Sequence, residues 1–184
     1  SRDALMIAAS LVGQLQTAVA RNVTPTDACV LSVTQIRAGD AYNVVPETAT
    51  LGGTLRYFKD EVRDLAEARM AALCQGAEVA YGVDISFESR NIFDVLVNDS
   101  DLSEAYLAAA ADVVGTENVA EQTTPMTGSE DFADMLKVVP GAYCMVGHSG
   151  TAALHNPSFV LGKEILPTGA AILARVIERR LPLD

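Results

Sequence analysis

Basic residues are scarce in this sequence: thirteen lysines and arginines stand against twenty-four acids, for a net charge of -11. A surface of that sign repels phosphate backbones and anionic membranes, so nucleic acid is not an expected partner. Long apolar runs are missing as well. None approaches the roughly 20 residues that cross a bilayer, and no basic segment followed by an apolar one opens the chain, so a cytoplasmic protein with no membrane partner is expected. Cysteine is limited to Cys29, Cys74 and Cys144, an odd number, far apart and each among apolar neighbours. A disulfide framework or a Cys-rich zinc site is not built that way, and each reads as a small buried hydrophobe. Proline occurs only seven times while 49% of residues are hydrophobic, which favours a folded core over a disordered tail. An initiator methionine is also absent. The chain runs from Ser1-Arg2-Asp3 straight into a helical pattern, as a fragment or processed chain would.

Apolar residues at steps of three and four, Leu5, Ala8, Val12, Leu15 and Val19, predict a first helix capped by Asp3. Alternation predicts strands from Cys29 to Arg37 and from Thr48 to Phe58, the second interrupted by Gly52-Gly53, a pair that marks a bulge or a close backbone approach. A helix with Val62, Leu65, Arg69, Leu73 and Ala80 on one face follows, stopped by Gly82, and then a strand from Val83 to Glu88. Helix, strand, strand, helix, strand is the ferredoxin-like order without its first strand, which would lie before Ser1. After a crossing segment at Asn91–Asn98, Asp99-Ser100 caps a third helix to Val114. Short strands near Val119–Gln122 and Gly141–Val146, a helix over Asp131–Leu136 and a last one over Leu166–Leu181 complete a second, α/β block. The expected fold class is therefore mixed α/β in two modules, residues 1–91 and 92–184.

Both histidines fall in the stretch Thr127–Phe159. His155 precedes Asn156-Pro157 in a loop after a predicted buried strand, where α/β proteins place their sites, and an imidazole there can bind a metal or move protons. No second ligand stands at helical or tight-turn spacing from it, so a structural role is the competing reading. Gly128 and Ser129 could present backbone N–H groups to a carboxylate at a helix start, while Glu130 and Asp131 could simply cap that helix. His148, in a glycine-flanked loop, reads as exposed rather than catalytic. Arg56 near a strand end and Asn43 in a turn could recognise a carboxylate or an oxyanion, or be plain surface residues.

Six segments in order, ARN at Ala20–Asn22, AYNVVPE at Ala41–Glu47, GGTLRYF at Gly52–Phe58, TGSEDFA at Thr127–Ala133, VPGAY at Val139–Tyr143 and LHNPSF at Leu154–Phe159, resemble the aminoacylase-like, carboxypeptidase-like two-metal metallohydrolases. The nearest branch holds hippurate hydrolases, N-acyl-amino-acid amidohydrolases and indole-acetyl-amino-acid hydrolases. The resemblance implies a ferredoxin-like satellite domain that makes a homodimer, over 1–91, and the C-terminal part of a catalytic α/β domain, over 92–184. It implies amide hydrolysis of N-acyl amino acids or small peptides with two divalent ions, zinc, manganese or nickel. It assigns His155 to one metal, Asn43 and Arg56 to the substrate's carboxylate or developing oxyanion, and Gly128 and Ser129 to a loop whose amides approach the substrate; the branch more often has two glycines there.

The family's other metal ligands and its general-base glutamate belong to an N-terminal part that this sequence does not contain. No catalytic base is therefore assigned within the chain; it is expected upstream. The chain alone is expected to be inactive and to hold no metal tightly. A non-enzymatic module that dimerises through a ferredoxin-like sheet edge is the alternative from another class.

Overall fold

Asp3 opens the first helix by accepting the Met6 N–H on its carboxylate at 3.0 Å, which satisfies one of the amides that a helix start leaves free. The computed structural model describes residues 2–181; the expectation attached to Ser1, a processed start, lies outside that range. Helix α1 (Ala4–Ala20) buries Ala8 and Leu15 of the predicted stripe, together with Leu11 and Ala18, while Leu5 is 45% exposed and Val12 and Val19 are only half-buried. Because α1 is apolar almost all round, more than one stripe satisfies three-and-four spacing, and the packing neighbour decides between them.

Strands β1 (Cys29–Ala38) and β2 (Ala49–Tyr57) pair antiparallel, with Cys29 opposite Tyr57 and Ala38 opposite Ala49. The register slips between Val33 and Gln35, opposite Gly52-Gly53, where the glycine pair predicted a bulge or close approach. A Cβ placed on Gly53 would stand 2.3 Å from the Ser32 carbonyl oxygen, a separation no side chain tolerates. Leu31, Val33 and Leu51 pack toward the helices on Leu11, Leu15, Cys74 and Ala77. Helix α2 (Asp60–Tyr81) carries Asp60 and Glu61 in its first turn, where carboxylates favour the positive end of the helix dipole. It buries Val62, Ala66, Cys74 and Ala77, so the predicted Leu65 is displaced to the 41% exposed flank. Gly82 ends it in the left-handed conformation at φ 62, donating its N–H to the Glu78 carbonyl at 2.8 Å.

Val83–Glu88 is without regular structure and is not a strand. A strand exists only as one side of a ladder, and among the described residues this segment has no partner. One of its amides is met instead by a side chain, Ile85 N–H donating to the Glu78 carboxylate at 2.8 Å. The order α1-β1-β2-α2 is the ferredoxin-like order with its first and last strands unformed among the described residues.

The chain divides into two compact units, Ser1–Val95 and Leu96–Asp184. In the second, α3 (Ser100–Val114) is capped by Asp99, which accepts the Leu102 N–H at 2.9 Å. A single 3-10 turn (Thr116–Asn118), a five-residue α4 (Phe132–Leu136) and α5 (Ile165–Arg180) follow. Pro167 sits in the first turn of α5, where a missing N–H costs nothing. Helices α3 and α5 pack together; α3 buries Ala109 and Ala110 and α5 buries Ile172. Asp112 accepts from Arg175 at 2.8 Å and Arg179 at 2.7 Å. The predicted strands at Val119–Gln122 and Gly141–Val146 are not formed, for the same want of a ladder partner among the described residues. In place of a ladder, the Asn98 side chain brackets Tyr143, donating to its carbonyl at 2.9 Å and accepting from its N–H at 2.8 Å, and Asp99 N–H donates to the Gly141 carbonyl at 2.9 Å.

Two outcomes follow for stability. Gly53→Ala should cost about 1–3 kcal/mol, the range for forcing extra volume into a packed site, whereas Gly13→Ala, in α1 with nothing near the added carbon, should stabilise by ~0.5–1 kcal/mol; urea denaturation of both variants checks the contrast. The hydrogen bonds from Arg175 and then Arg179 hold the Asp112 carboxyl below the usual aspartate range. A depressed folded value means that this contribution is present above the ordinary pKa of ~3.9 and is lost as pH falls through the lower folded value. Asp112→Asn should therefore lower the urea midpoint at pH 7 slightly, because the pair is exposed, and flatten the midpoint's fall below pH 4.

Candidate functional site

The ten-residue connection between β1 and β2 carries Asn43 in a turn closed by Val44 N–H to the Ala41 carbonyl at 3.5 Å. Asn43 is exposed there, beside exposed Tyr42, Val44 and Val45. Arg56 lies on β2 opposite Val30, exposed on the sheet face that does not meet the helices. Both belong to the first unit.

Gly128, Ser129 and His155 belong to the second. Residues 121–130 are exposed and without regular structure, and an added carbon on Gly128 would meet nothing within 4 Å. The expected helix start beside Gly128-Ser129 needs correction: α4 begins only at Phe132 and has five residues, too few for a dipole that binds an anion. Nor do Glu130 and Asp131 cap it with their side chains. They do so with main-chain carbonyls, accepting from Ala133 at 3.3 Å and Asp134 at 3.0 Å.

Glu130 instead lies by Tyr143. Burial pushes the Tyr143 phenol above its ordinary value, and the Glu130 carboxylate adds to the shift through its charge and by accepting from the hydroxyl, with Asp131 contributing further. The Tyr143 ring also packs on Phe132 at 5.6 Å between centroids. With its main chain bracketed by Asn98, Tyr143 is held beside the start of α3. Asn98 did not stand out in the sequence, where the only signal was an asparagine immediately before a helix cap; Tyr143 was marked only as the end of the VPGAY segment.

His155 sits in the left-handed region at φ 66, the only non-glycine residue with positive φ among those described. That conformation costs a residue with a side chain on the order of 1 kcal/mol, and it persists where surrounding structure over-determines it. Here the next residue supplies that structure. Asn156 donates its N–H to the Ala153 carbonyl at 3.1 Å, accepts the Phe159 N–H on its own carbonyl at 2.9 Å, and accepts the Ser158 N–H on its side-chain oxygen at 2.8 Å. An asparagine before proline is a recognised turn former, so this support was readable in the sequence. The result is an exposed imidazole on a fixed turn.

His148 is not the exposed loop residue expected. It is half-buried, accepts the Gly150 N–H on Nδ1 at 3.0 Å, and meets the Phe159 ring edge to face at 5.3 Å and 84°. Beside it Ser149 donates to Glu164 at 3.0 Å. Glu164 is held below the usual glutamate range, first by a backbone N–H hydrogen bond of its own, then by Ser149, with His148 adding to the effect.

Among the described residues no three His, Cys, Asp or Glu side chains lie close enough together to hold a metal ion. A centre of two divalent ions does not fit the described residues by themselves. Among the same residues, no helix is long and apolar enough to cross a membrane.

Residues 6–179 match the model of "Peptidase family M20/M25/M40". The chain is similar to the N-acetylcysteine deacetylase of Bacillus subtilis (strain 168), 31% identical over 96% of this chain and 46% of that protein. It is likewise similar to the IAA-amino acid hydrolase ILR1-like 4 of Arabidopsis thaliana, 32% identical over 97% of this chain and 42% of the relative. The crystal structure of the Bacillus subtilis YXEP protein, described as a dinuclear metal binding peptidase of the M20 family, superposes with a TM-score of 0.75 at 26% identity, over 99% of this chain and 47% of that one. The chain thus spans about half the length of the relatives it matches.

The Tyr143–Glu130 pair has a spectroscopic consequence. Glu130→Gln should lower the Tyr143 phenol pKa but leave it above the ordinary value of about 10, because burial is the larger cause. Ultraviolet titration, with Tyr143→Phe as the difference reference, reads the change.

Proposed function

The chain belongs to peptidase family M20/M25/M40, and from that premise we propose that it is part of a metal-dependent amidohydrolase that cleaves the amide bond of N-acyl amino acids or small peptides. The observation that carries this reading is His155: an exposed imidazole on a strained, hydrogen-bonded turn, since strain of this kind clusters at functional sites. The relatives' names, a deacetylase of N-acetylcysteine and a hydrolase of IAA-amino acid, give the substrate class. A pair of divalent ions, zinc, manganese or nickel, polarises amide carbonyls and lowers the pKa of water; the described residues contribute His155 to such a centre and do not complete it.

Roles for the remaining residues follow from their chemistry. The Arg56 guanidinium can take a substrate carboxylate with two parallel hydrogen bonds, and the Asn43 amide can donate to an oxyanion. In the second unit, Gly128 leaves open space in which a substrate can approach the main chain, with Ser129 beside it. The first unit acts as the satellite domain and the second as the C-terminal portion of the catalytic domain. The satellite makes a homodimer, in keeping with β1 and β2 each leaving one edge without a ladder partner among the described residues. Three unbridged cysteines suit a reducing, cytoplasmic setting.

Assayed with zinc, manganese or nickel and a panel of N-acyl amino acids, the 184-residue chain alone should release no amino acid above the metal-only rate. In a protein of the relatives' full length that contains this chain, His155→Ala should lower kcat/KM by more than ~100-fold, since even residues outside the ligand set cost 10–100-fold. An undiminished rate in that variant would remove His155 from the centre.

A further inference from the structure

The second histidine has no part in the reading above, yet the structure holds it as firmly as the first. Its ring is folded back over Gly150: Nδ1 accepts the Gly150 N–H at 3.0 Å, and a Cβ placed on Gly150 would stand 2.3 Å from the His148 Cε1 and 2.7 Å from Nδ1. The absence of a side chain at position 150 is thus a condition for the ring's position. The other side of the imidazole meets Phe159 edge to face at 5.3 Å, a geometry in which the positive ring edge of one aromatic faces the negative face of the other. Phe159 in turn donates its N–H to the Asn156 carbonyl at 2.9 Å, one of the hydrogen bonds that close the His155 turn. The loop carrying His148 is anchored at its other end, Ser149 donating to Glu164 beside the start of α5 at 3.0 Å.

From this chain of contacts we infer that His148 is a positioning residue for His155, acting through the ring of Phe159. A left-handed backbone persists only while its surroundings exclude the alternatives. Asn156 closes the turn from within, and the His148–Phe159 contact braces its exit against a loop tied to α5. The ring contact carries the role; the hydrogen bond to Gly150 serves to orient the imidazole. What this brace means for metal binding rests on the function proposed above, but the brace itself is a conformational property of the chain and is tested without metal or substrate.

The 184-residue chain contains only two histidines, so their resonances are readily separated by NMR. A strong intraresidue HN–Hα cross-peak reports positive φ at His155. His148→Phe keeps a ring and should retain the wild-type cross-peak. His148→Gln keeps an acceptor but no ring, and Gly150→Ala keeps the histidine but displaces it. Both should reduce the cross-peak to about half or less as the turn samples negative φ, while amide protection in α3 and α5 stays as in wild type. The inference is overturned if His155 is unchanged in both of these variants, or if Phe at 148 behaves like Gln. It is also overturned if α3 and α5 lose protection together with the turn, since His148 would then serve the folding of the unit and not the position of His155. A wild-type full-length protein that releases no amino acid from N-acyl amino acids while keeping the His155 cross-peak would instead count against the proposed function and leave the brace standing.

Discussion

A peptide group that leaves a helix must find another hydrogen-bond partner or stay in water, and the chain meets that demand differently in its two units. In the first, β1 and β2 satisfy each other along a nine-pair ladder. The ladder closes only because Gly53 lets its backbone come against the Ser32 carbonyl. That contact sets which residues face the helices, Leu31 and Leu51, and which face away, Arg56 among them. In the second unit side chains replace the ladder. Asn98 brackets Tyr143, Asn156 closes the turn after His155, and Asp99 caps α3 while its own N–H is taken by Gly141.

This difference governs where chemistry can sit. Residues on a ladder inherit its register, so the position of Arg56 is fixed by the pairing that sets Val30 opposite it. Groups on loops need local braces, and His155 has one in the hydrogen bonds of Asn156 and Phe159. The buried residues of this second unit are mostly small, Ala109, Ala110 and Ala133 beside Ile172. Small residues let helices approach closely but hold a loop through few contacts, which leaves specific hydrogen bonds to define the loops.

Features decided by one residue and its nearest neighbours were legible in the sequence. Asp3 and Asp99 cap because an aspartate carboxylate reaches the amide three residues on, and Gly82 ends α2 because only glycine enters the left-handed region without strain. Gly52-Gly53 marked the irregularity between the strands before any pairing was known. Features that depend on a partner distant in the chain were not legible. Alternation at Val83–Glu88 and Gly141–Val146 describes residues able to form strands, and ladder formation depends on a second segment. The buried faces of α1 and α2 were legible only in part, Ala8, Leu15 and Val62 being buried as expected while Leu5 and Leu65 are not, since periodicity allows several stripes and packing selects one. For the candidate site, His155 and its turn could be read from His-Asn-Pro, while Arg56 and Asn43 rested on family resemblance, because one exposed arginine and one turn asparagine carry no chemical signal of their own.

By itself, then, the sequence determined helix ends, the glycine-marked bulge, the acidic character of the chain and its membership of a hydrolase family, all properties of short segments or of composition. Only the tertiary structure decided that His148 is half-buried against Phe159, that Tyr143 is held at once by Asn98 and Phe132, and that His155 alone among the described non-glycine residues takes positive φ. The physical reason is range. A cap or a glycine turn is satisfied within four residues, whereas a buried ring and a strained backbone are held by groups that only folding brings together.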